Sequence, residues 1–487
     1  MNNNDIMGLL SIFKRTHALA LMCVALFVAG AQTAHSEILI RAQDFTQSSG
    51  VVTQANGEGN QKVAHINDGD WLQFANVDFG SGVRQFKART LATNQNAGEG
   101  GWIEVRQGSV DGPLLARSLV LAVDIDNPWE VRFTEIEPIQ GVHDIFLVFR
   151  ADSPDSDRLF ELDWISFSDE PVTMTGNPII QHIRTADPSV RVWDHHDGDK
   201  IWMYASHDMP DATDYSSMDG YHVFSTNDLK NWTDHGEVLH SRDVEWGHKE
   251  GGFMWDPDAH YKDGKYYLYF PHKVDSDQPG WKSPWRTGVA VSDHPGGPFV
   301  PEPSYIDGTQ GTDPGVFIDD DGQAYIFFGH FNFGRLMPNM KELDPGLPGS
   351  NNKGLSNVDL RNAPPVEKFM EGAWMHKHEG RYYYSWKQSD IDPESGTHYH
   401  AHYAMSDRAD GVFEYMGPLN VPPRRAQNHH SIVEINDQWY FFFHVGGPGP
   451  KGSNRRMSSV AYLNHNPDGS IDLIEMSPEG VKILTDR

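Results

Sequence analysis

The chain has 487 residues and a single cysteine, Cys23. Cys23 falls in an N-terminal segment that we predict to be removed, so the mature chain would hold no thiol. This absence excludes disulfide bonds, thiolate metal sites and cysteine nucleophiles. The fold must therefore be stabilised by its buried core alone, which a chain of this length can supply.

Basic residues are also scarce, since 39 Lys and Arg stand against 68 Asp and Glu, for a formal net charge of −29. No basic stretch offsets this excess. A chain this acidic repels a phosphate backbone, which excludes nucleic acid as a partner. The same argument excludes attraction to an anionic membrane surface.

Long apolar runs are missing except near the N-terminus. Lys14 and Arg15 precede an apolar segment over 18–29, and Ala29 and Ala31 form an A-x-A cleavage pattern. The run is shorter than the ~20 residues that span a bilayer. We therefore predict that 1–36 is a signal peptide cleaved near 31–36, and that the mature protein is secreted or periplasmic without a membrane association.

Helical periodicity is absent as well, and residues 37–168 alternate short apolar segments with Gly, Asn and Asp turns. This pattern predicts a β-sandwich of the jelly-roll type. Residues 169–178 show no apolar period and are predicted to be a linker.

Residues 179–487 repeat a turn followed by an aromatic-rich strand. The aligned aromatic positions are separated by 65, 58, 58 and 57 residues. Nearly equal intervals predict a five-bladed β-propeller of four-stranded blades, so that the whole chain is all-β. A long sandwich with accidental spacing is the alternative. The five aligned aromatic residues are Trp202, Tyr267, Tyr325, Tyr383 and Tyr440.

Three carboxylates open these repeats at matching positions. Asp313 and Glu371 each lie 12 residues before the aligned aromatic residue, and Asp187 lies 15 residues before it. Because the innermost strands of a propeller converge on its axis, we expect these side chains to share one pocket. Crowded carboxylates raise one pKa, as a general acid requires. Two facing carboxylates are the machinery of glycoside hydrolysis.

His429 and His430 open the fifth repeat beside the predicted axis. Either they pack in the central tunnel, or they bind an ion there, for which a hard cation such as calcium is suited. The sequence contains no phosphate-binding loop, HExxH motif or nucleophile elbow, so we expect no cofactor for the chemistry itself.

The motifs in 180–487 resemble those of glycoside hydrolase family 43, in particular its arabinofuranosidase and xylosidase branches. They are Asp187-Pro, Trp255-Asp-Pro-Asp258, Asp313-Pro, Glu371-Gly and Asn428-His-His-Ser431. The resemblance implies inversion by a single displacement. Asp187 would be the general base, Glu371 the general acid, and Asp313 the residue that tunes the pKa of Glu371 and orients it.

The same resemblance implies substrate and ion contacts. We predict Trp255, Trp374 and Arg456 as substrate-binding residues, with Arg455 as the alternative to Arg456. The His-x-Ser spacing assigns the ion to His429 rather than His430. Asp256 departs from the family pattern, which usually has Ala at this position.

Residues 37–168 resemble a family 6 carbohydrate-binding module, through motifs at 41–44, 67–71 and 162–167. This resemblance implies a sugar cleft that holds Trp129, His65 and Glu161; His65 replaces a common Tyr and Glu161 a common Asn, which leaves the module's ligand open. It also implies a structural calcium at Asp163 and Gln43, where Gln43 replaces the usual Glu. We expect Trp71 and Trp164 in the sandwich core.

These observations predict a two-module inverting glycoside hydrolase that releases terminal arabinofuranosyl or xylosyl units from a polysaccharide or oligosaccharide. The alternatives are the same fold acting on galactose-containing or algal glycans, and a non-catalytic, lectin-like propeller. No obligatory protein partner is expected.

Overall fold

A computed structural model describes residues 37–93, 98–122, 129–151, 158–209, 214–277, 284–363, 370–392, 396–420, 429–446 and 455–485. Within these ranges the helices are three short 3-10 turns, Ala42–Asp44, Tyr215–Ser217 and Ser241–Asp243. No helix among the described residues has the length and apolar character to cross a membrane. The all-β prediction is confirmed, whereas the predicted signal peptide and Asn428 lie outside the described residues.

Two antiparallel sheets form the predicted sandwich. The first contains β1 (Glu37–Arg41), β3 (Val52–Ala55), β4 (Gln61–Ala64), β6 (Val83–Leu91), β9 (Trp129–Ile139) and β11 (Glu161–Ser168). The second contains β2 (Gln47–Ser49), β5 (Trp71–Asp78), β7 (Gly100–Gln107), β8 (Leu114–Leu121) and β10 (Val142–Arg150).

Alternation along the sandwich strands separates core from surface. Leu72 and Ile165 are fully buried in the core, while their neighbours Trp71 and Trp164 are only half-buried on the opposite face. The expectation that both tryptophans belong to the core was wrong. The cause is the period of two along a strand, which turns adjacent side chains to opposite faces of the sheet.

Five further sheets follow in chain order and correspond to the five predicted blades. The first sheet contains β12 (Thr185–Val192), β13 (Ile201–His207), β14 (Gly220–Thr226) and β15 (Thr233–His240). The second contains β16 (Asp258–Lys262), β17 (Lys265–Lys273), β18 (Trp285–Ser292) and β19 (Val300–Pro301). The third contains β20 (Gly315–Ile318), β21 (Ala324–Phe328), β22 (Asn332–Arg335) and β23 (Leu355–Asn357). The fourth contains β24 (Asp359–Arg361), β25 (Met370–His378), β26 (Arg381–Asp392), β27 (Gly396–Ser406) and β28 (Val412–Pro418), and the fifth contains β29 (His430–Ile435), β30 (Gln438–Val445) and β31 (Met457–Leu463).

The repeated turn motif closes the first hairpin of a blade. In the second blade Lys262 pairs with Lys265, so the loop is Asp263-Gly264, and both residues have positive φ, 51° and 83°. This is the geometry of a two-residue hairpin, which Asp-Gly favours. The aromatic strand after each turn packs against the neighbouring blade, which explains why the aromatic positions recur at blade intervals.

A buried ion pair in the tunnel joins the first three blades. Arg191 donates to both carboxylate oxygens of Asp258, at 2.8 and 2.7 Å. Asp258 also accepts hydrogen bonds from Ser189 Oγ at 2.7 Å and from the Val316 N–H at 2.6 Å. The guanidinium of Arg191 lies 4.0 Å from the ring centroid of Trp374, in the fourth blade.

The fifth blade closes the ring from both sides. The indole N–H of Trp374 donates to the Ile432 carbonyl at 2.9 Å. Ser431 Oγ donates to the Pro188 carbonyl at 2.7 Å and accepts from the Val190 N–H at 3.0 Å. Strands from separate blades are thereby bonded around one axis.

The segment predicted as a linker is bonded to the C-terminal segment of the chain. The backbone N–H groups of Thr175, Gly176 and Asn177 donate to carbonyls of 478–481. The sandwich also contacts the propeller directly, since Trp102 and Leu119 pack against Met457, and Arg455 donates to the Glu99 carbonyl at 3.2 Å. Residues 37–487 consequently form one compact unit.

Replacing Asp258 with Asn tests the tunnel ion pair. It leaves the nearly buried Arg191 without a counter-charge, so we expect the free energy of unfolding to fall by about 3–5 kcal/mol, measured by denaturant titration. Asp277→Asn is the matched control, because Asp277 pairs with Lys249 at an exposed site and should cost at most about 1 kcal/mol. An equal fall in the free energy of unfolding in the two variants would contradict the conclusion that the Arg191–Asp258 pair stabilises the fold more than an exposed ion pair does.

Candidate active site

Each innermost strand is deformed where its carboxylate sits. Asp187, Asp256 and Asp313 precede prolines and have positive φ of 53°, 20° and 59°. Glu371 precedes Gly372, which has a φ of 67°, at a shift of strand register. Such positions cost about 1–3 kcal/mol for a residue other than glycine and cluster at functional sites.

The three predicted carboxylates meet around His429. The Nε2 atom of His429 lies 3.6 Å from Asp313 Oδ2 and 3.7 Å from Glu371 Oε1. An oxygen of Asp187 lies within 4.8 Å of a ring nitrogen of His429. The structure thus brings Asp187, Asp313 and Glu371 into one cluster, as their phase in the repeats predicts.

Asp187 is held as a carboxylate. Its Oδ1 lies 3.1 Å from Arg456 Nη1, and Ser206 Oγ donates to its Oδ2 at 2.5 Å. Its backbone N–H donates to His444 Nδ1 at 3.1 Å. Burial by itself raises the pKa of Asp187, but the Arg456 guanidinium outweighs it and holds that pKa well below the usual 3.8.

Glu371 forms an ion pair with Lys387 through Oε1 and Nζ. Lys387 is 2% exposed. Burial lowers the pKa of Lys387. The negative charge of Glu371 and its hydrogen bond with Lys387 have the larger effect, so the pKa of Lys387 is raised above its usual 10.5. Lys387 is therefore a fixed cation beside the predicted general acid.

Asp256 adds a fourth carboxyl group to the cluster. Its Oδ1 lies 3.0 Å from His429 Nδ1. Burial and the charges of Asp187 and Asp313 raise its pKa well above 3.8. The pKa of Asp313 is lowered: burial opposes ionisation, but the neighbouring Asp256 and His429 favour it. Between these two neighbours, protonation is therefore favoured on Asp256 over Asp313.

The two predicted histidines have different surroundings. The ring of His430 stacks on Phe441 at 5.1 Å, and its Nε2 lies 2.7 Å from Ser385 Oγ, so it packs in the tunnel wall. His429 Nε2, Asp256 Oδ1 and Asp313 Oδ2 are buried without a hydrogen-bond partner. Orphaned oxygen and nitrogen donors of this kind fit a hard divalent cation.

Trp255 lies at the edge of the cluster. Its indole N–H donates to the Tyr215 carbonyl at 2.7 Å, and its ring packs on Trp285 with centroids 4.3 Å apart. Trp374, in contrast, is 4% exposed and lies under the Arg191 guanidinium. This position differs from the sugar contact we predicted for Trp374 and gives it a structural role in the tunnel.

The choice between Arg455 and Arg456 is decided by geometry. Arg455 points to the Glu99 carbonyl of the sandwich, while Arg456 reaches Asp187.

Sequence reasoning missed Asp208, which is 1% exposed and accepts hydrogen bonds from Arg456 Nη2 at 2.7 Å and from the Arg456 backbone N–H at 3.0 Å. It also missed Lys387. Neither residue belongs to a recognisable motif, since each acts only through a partner distant in sequence.

The three predicted sugar-binding residues of the sandwich lie at one end of its first sheet. Leu91 pairs with both Trp129 and Glu161, so these two are two strands apart, roughly 9–10 Å. Glu161 accepts from Lys62 Nζ at 2.5 Å, and His65 is exposed, with its Nε2 3.1 Å from Gln54 Nε2. The guanidinium of Arg89 lies 5.0 Å from the centroid of the Trp129 ring, on the strand between Trp129 and Glu161.

The predicted calcium site of the sandwich does not fit a cation. Asp163 is fully buried, and its Oδ2 accepts from Arg89 Nη1 at 2.6 Å, while Arg41 Nη1 lies 3.5 Å from its Oδ1. Gln43 Oε1 accepts from the Gln61 N–H at 2.8 Å. Guanidinium groups therefore already neutralise the carboxylate that calcium would need.

Comparison with known proteins gives two family matches. The sequence profile described as Glycosyl hydrolases family 43 matches residues 175–479, and that of Carbohydrate binding module (family 6) matches residues 41–169. The chain is 34% identical over 331 residues to a xylosidase/arabinosidase of Bacteroides ovatus, covering 60% of this chain and 96% of that protein. It is 37% identical over 339 residues to xylosidase/arabinosidase 43A of Humicola insolens, covering 60% and 98%.

Solved structures agree. A β-xylosidase/α-arabinofuranosidase of family 43 from a compost metagenome, solved with xylotriose in a calcium-free form, is 33% identical with a TM-score of 0.52, covering 63% of this chain and 99% of that one. An enzyme of Xanthomonas citri with xylotriose is 34% identical with a TM-score of 0.50, covering 62% and 93%. The propeller expected from the repeat spacing is confirmed.

Asp208→Asn tests how Arg456 is positioned. Loss of the Asp208 charge loosens the guanidinium, and the pKa of Asp187 should then rise. We expect the acid limb of the kcat/KM profile to move to higher pH and the maximum to fall by up to about 10²-fold. If Asp208 had a purely structural role, its substitution would lower kcat/KM at every pH and leave the acid limb of the profile at the same pH. The control Asp243→Asn, at an exposed residue, should change neither the acid limb nor the maximum.

Calcium titration of the full chain by calorimetry tests the sandwich site. Gln43→Ala and Asp163→Asn should bind as much calcium as the wild type, because guanidinium groups occupy the site. Asp163→Asn should also lower the melting temperature, since it removes the partner of Arg89. A loss of one calcium per chain in either variant would contradict this assignment.

Proposed function

The chain belongs to glycosyl hydrolase family 43, and from that premise we propose that it releases terminal xylosyl or arabinofuranosyl units from xylan-type chains with inversion at the anomeric carbon. It is a xylosidase/arabinofuranosidase-like glycoside hydrolase with a family 6 carbohydrate-binding module. The observation that carries the proposal is the meeting of Asp187, Asp313 and Glu371 around one imidazole.

Asp187 acts as the general base on water. Its low pKa keeps it ionised, while Arg456 and Ser206 fix the orientation of its oxygens. When Asp187 takes the proton from water, the developing hydroxide attacks the anomeric carbon from the face opposite the leaving group. This geometry gives inversion when the two carboxyl groups are roughly 6.5–9.5 Å apart.

Glu371 acts as the general acid on the glycosidic oxygen. To carry a proton it must leave the ion pair with Lys387, whose charge is then balanced by the neighbouring Asp313. After bond cleavage, Glu371 is a carboxylate and the pair with Lys387 re-forms. Lys387 therefore favours the state of Glu371 that follows proton transfer, which assists departure of the sugar.

A divalent cation, where bound, would be held by His429 with either Asp187 and Asp256 or Asp313 and Glu371, since the ligand atoms of each set lie within 4.8 Å of one another. It would supply a fixed positive charge to the carboxylate cluster. His429 otherwise carries this role by protonation. Burial lowers the pKa of His429, but the nearby carboxylates of Asp313, Asp187 and Glu371 raise it above its usual 6.5.

We further propose that residues 1–36 direct export, so that the enzyme meets its polysaccharide outside the cytoplasm. The cleft at Trp129, His65 and Glu161 would hold the chain on the polymer while the propeller removes end units. The half-buried aromatic surface of Trp255 and Trp285 at the cluster edge supports stacking of a sugar ring there.

Hydrolysis of 4-nitrophenyl β-xyloside and α-arabinofuranoside tests the mechanism. Glu371→Gln and Asp187→Asn should each lose ~10²–10⁴-fold in kcat, because each removes a proton-transfer group. Glu434→Gln is the control, since Glu434 is an exposed carboxylate in β29.

Proton NMR of the first-formed anomer reads the stereochemistry, and the inverted anomer is expected. A retained anomer would refute single displacement. If the wild-type protein binds xylo-oligosaccharides but cleaves neither nitrophenyl glycoside, the propeller is lectin-like instead.

A further inference from the structure

A group of histidines around one aspartate lies on the first blade and takes no part in the functions proposed above. His207 is the last residue of β13, His222 lies in β14 and Asp234 lies in β15, while His182 precedes β12. We call these four residues the histidine cluster. Imidazole and carboxylate are both metal ligands, so the geometry of the cluster decides whether it can hold an ion.

Strand register places three members of the histidine cluster on one face of the first blade. Ala205 pairs with His222, and Phe224 pairs with Asp234. Paired residues share a face of the sheet, and so do residues two apart along a strand. His207, His222 and Asp234 therefore project from the same side.

A bulge in β15 positions the carboxylate of Asp234. The pairing of β14 with β15 shifts between His222 and Phe224, and Gly236 has a positive φ of 80°. The Gly236 N–H donates to Asp234 Oδ1 at 2.7 Å. Bulges re-aim side chains in this way, so the backbone helps to hold the carboxylate in place before any ion arrives.

Two imidazoles face the two oxygens of this one carboxylate. His182 Nε2 lies 2.8 Å from Asp234 Oδ2, and His222 Nδ1 lies 3.5 Å from Asp234 Oδ1. The first distance is that of a hydrogen bond, and the second is longer than one. His222 Nδ1 is buried and has no hydrogen-bond partner within the described part of the chain. A buried nitrogen that faces an oxygen without bonding to it requires an explanation.

A tetrahedral metal ion supplies that explanation. Zinc binds imidazole nitrogen and carboxylate oxygen at about 2.0–2.2 Å, so two of its ligand atoms lie about 3.4 Å apart. The separation of 3.5 Å between His222 Nδ1 and Asp234 Oδ1 matches this spacing. The side chain of His182 is 57% exposed, which leaves it room to turn from its hydrogen bond towards the ion.

The side chains of the histidine cluster are in the protonation states that a metal ion requires. Burial opposes ionisation of Asp234, but hydrogen bonds from His182 and the Gly236 N–H lower the pKa of Asp234 below 3.8. Burial and the neighbouring His222, whose ring centroid lies 5.1 Å away, lower the pKa of His207 below 6.5. Asp234 is therefore a carboxylate, and a neutral His207 adds no positive charge beside the ion.

We propose that His182, His222 and Asp234 bind a transition-metal ion of the zinc type, with water in the fourth position. Calcium and magnesium prefer oxygen ligands, whereas two imidazoles and one carboxylate suit zinc. The ion would join the segment before β12 to β14 and β15 and so stabilise the first blade. None of its ligands belongs to the carboxylate cluster, so the proposal does not depend on glycoside hydrolysis.

Zinc binding is measured by calorimetry on the full-length chain, with excess calcium present to fill any hard-cation site at His429. We expect one zinc ion per chain. Free zinc at about 100 times Kd should raise the melting temperature by about 3 °C, because it binds the folded state alone. Cobalt(II) in place of zinc should give the intense visible absorption of tetrahedral coordination.

His222→Gln and Asp234→Asn should each weaken zinc binding more than about 100-fold. Loss of a group that only orients a ligand already costs about 10–100-fold, and these variants remove a ligand itself. His182→Gln should also weaken binding, and at this exposed position it should leave the melting temperature without zinc unchanged. Melting temperatures without zinc show whether the other two variants fold.

His294→Gln is the matched control. His294 and His196 also face each other, with their Nε2 atoms 3.4 Å apart. The Nδ1 atom of each ring accepts a backbone N–H, from Gly296 and Gly198 respectively, so each neutral ring keeps its proton on Nε2 and cannot bind an ion there. This variant should bind zinc as the wild type does.

Absence of zinc binding by the wild type would overturn the proposal, as would zinc binding that survives in His222→Gln and Asp234→Asn. Loss of zinc binding in His294→Gln or only in His429→Gln would assign the ion to another site and have the same consequence. The weak absorption of six-coordinate cobalt would refute the tetrahedral geometry. Failure of the wild type to cleave xylosides would refute the proposed function and leave the zinc result standing.

Discussion

The pair of Arg191 and Asp258 is the constraint on which the rest of the structure depends. It bonds the first three blades in a tunnel from which water is largely excluded, and Trp374 extends it to the fourth. A chain without disulfides has no covalent means to hold blades together. The left-handed Asp187 and Asp313 store strain beside this pair. The tunnel contacts offset that strain, so the carboxylates can stay turned to the axis.

Two cations, Arg456 and Lys387, balance part of the negative charge of the active-site carboxylates. Four carboxyl groups lie around His429. Their mutual repulsion alone would not determine which of them carries a proton. Arg456 fixes the negative charge on Asp187, and Lys387 pairs with Glu371. The remaining repulsion raises the pKa of Asp256 and so favours protonation there over Asp313. The difference between Asp187, which Arg456 contacts, and Asp256, which lies among carboxylates and His429, thus follows from the neighbours of each group.

Features that repeat along the sequence could be predicted from it. Blade number followed from aromatic spacing, and the meeting of Asp187, Asp313 and Glu371 followed from their phase. Asp208 and Lys387 could not be found, because each acts through one partner whose position only the folded chain defines. Trp374 and Trp71 were misplaced for a related reason: a tryptophan in a strand suits either face, and the neighbouring strands decide which. The sandwich calcium site failed because Arg89 and Arg41 reach Asp163 from other strands.

The contact between sandwich and propeller gives the module a part in the catalytic site. Residues 455–457 have one side chain on the Glu99 carbonyl, the next on Asp187 and Asp208, and the third against Trp102. Consecutive residues of an extended chain point to opposite sides, so a segment held by the module at two positions presents the residue between them to Asp187. The guanidinium that keeps Asp187 ionised is therefore positioned partly by the sandwich. A module attached only as a tether would have no such contacts.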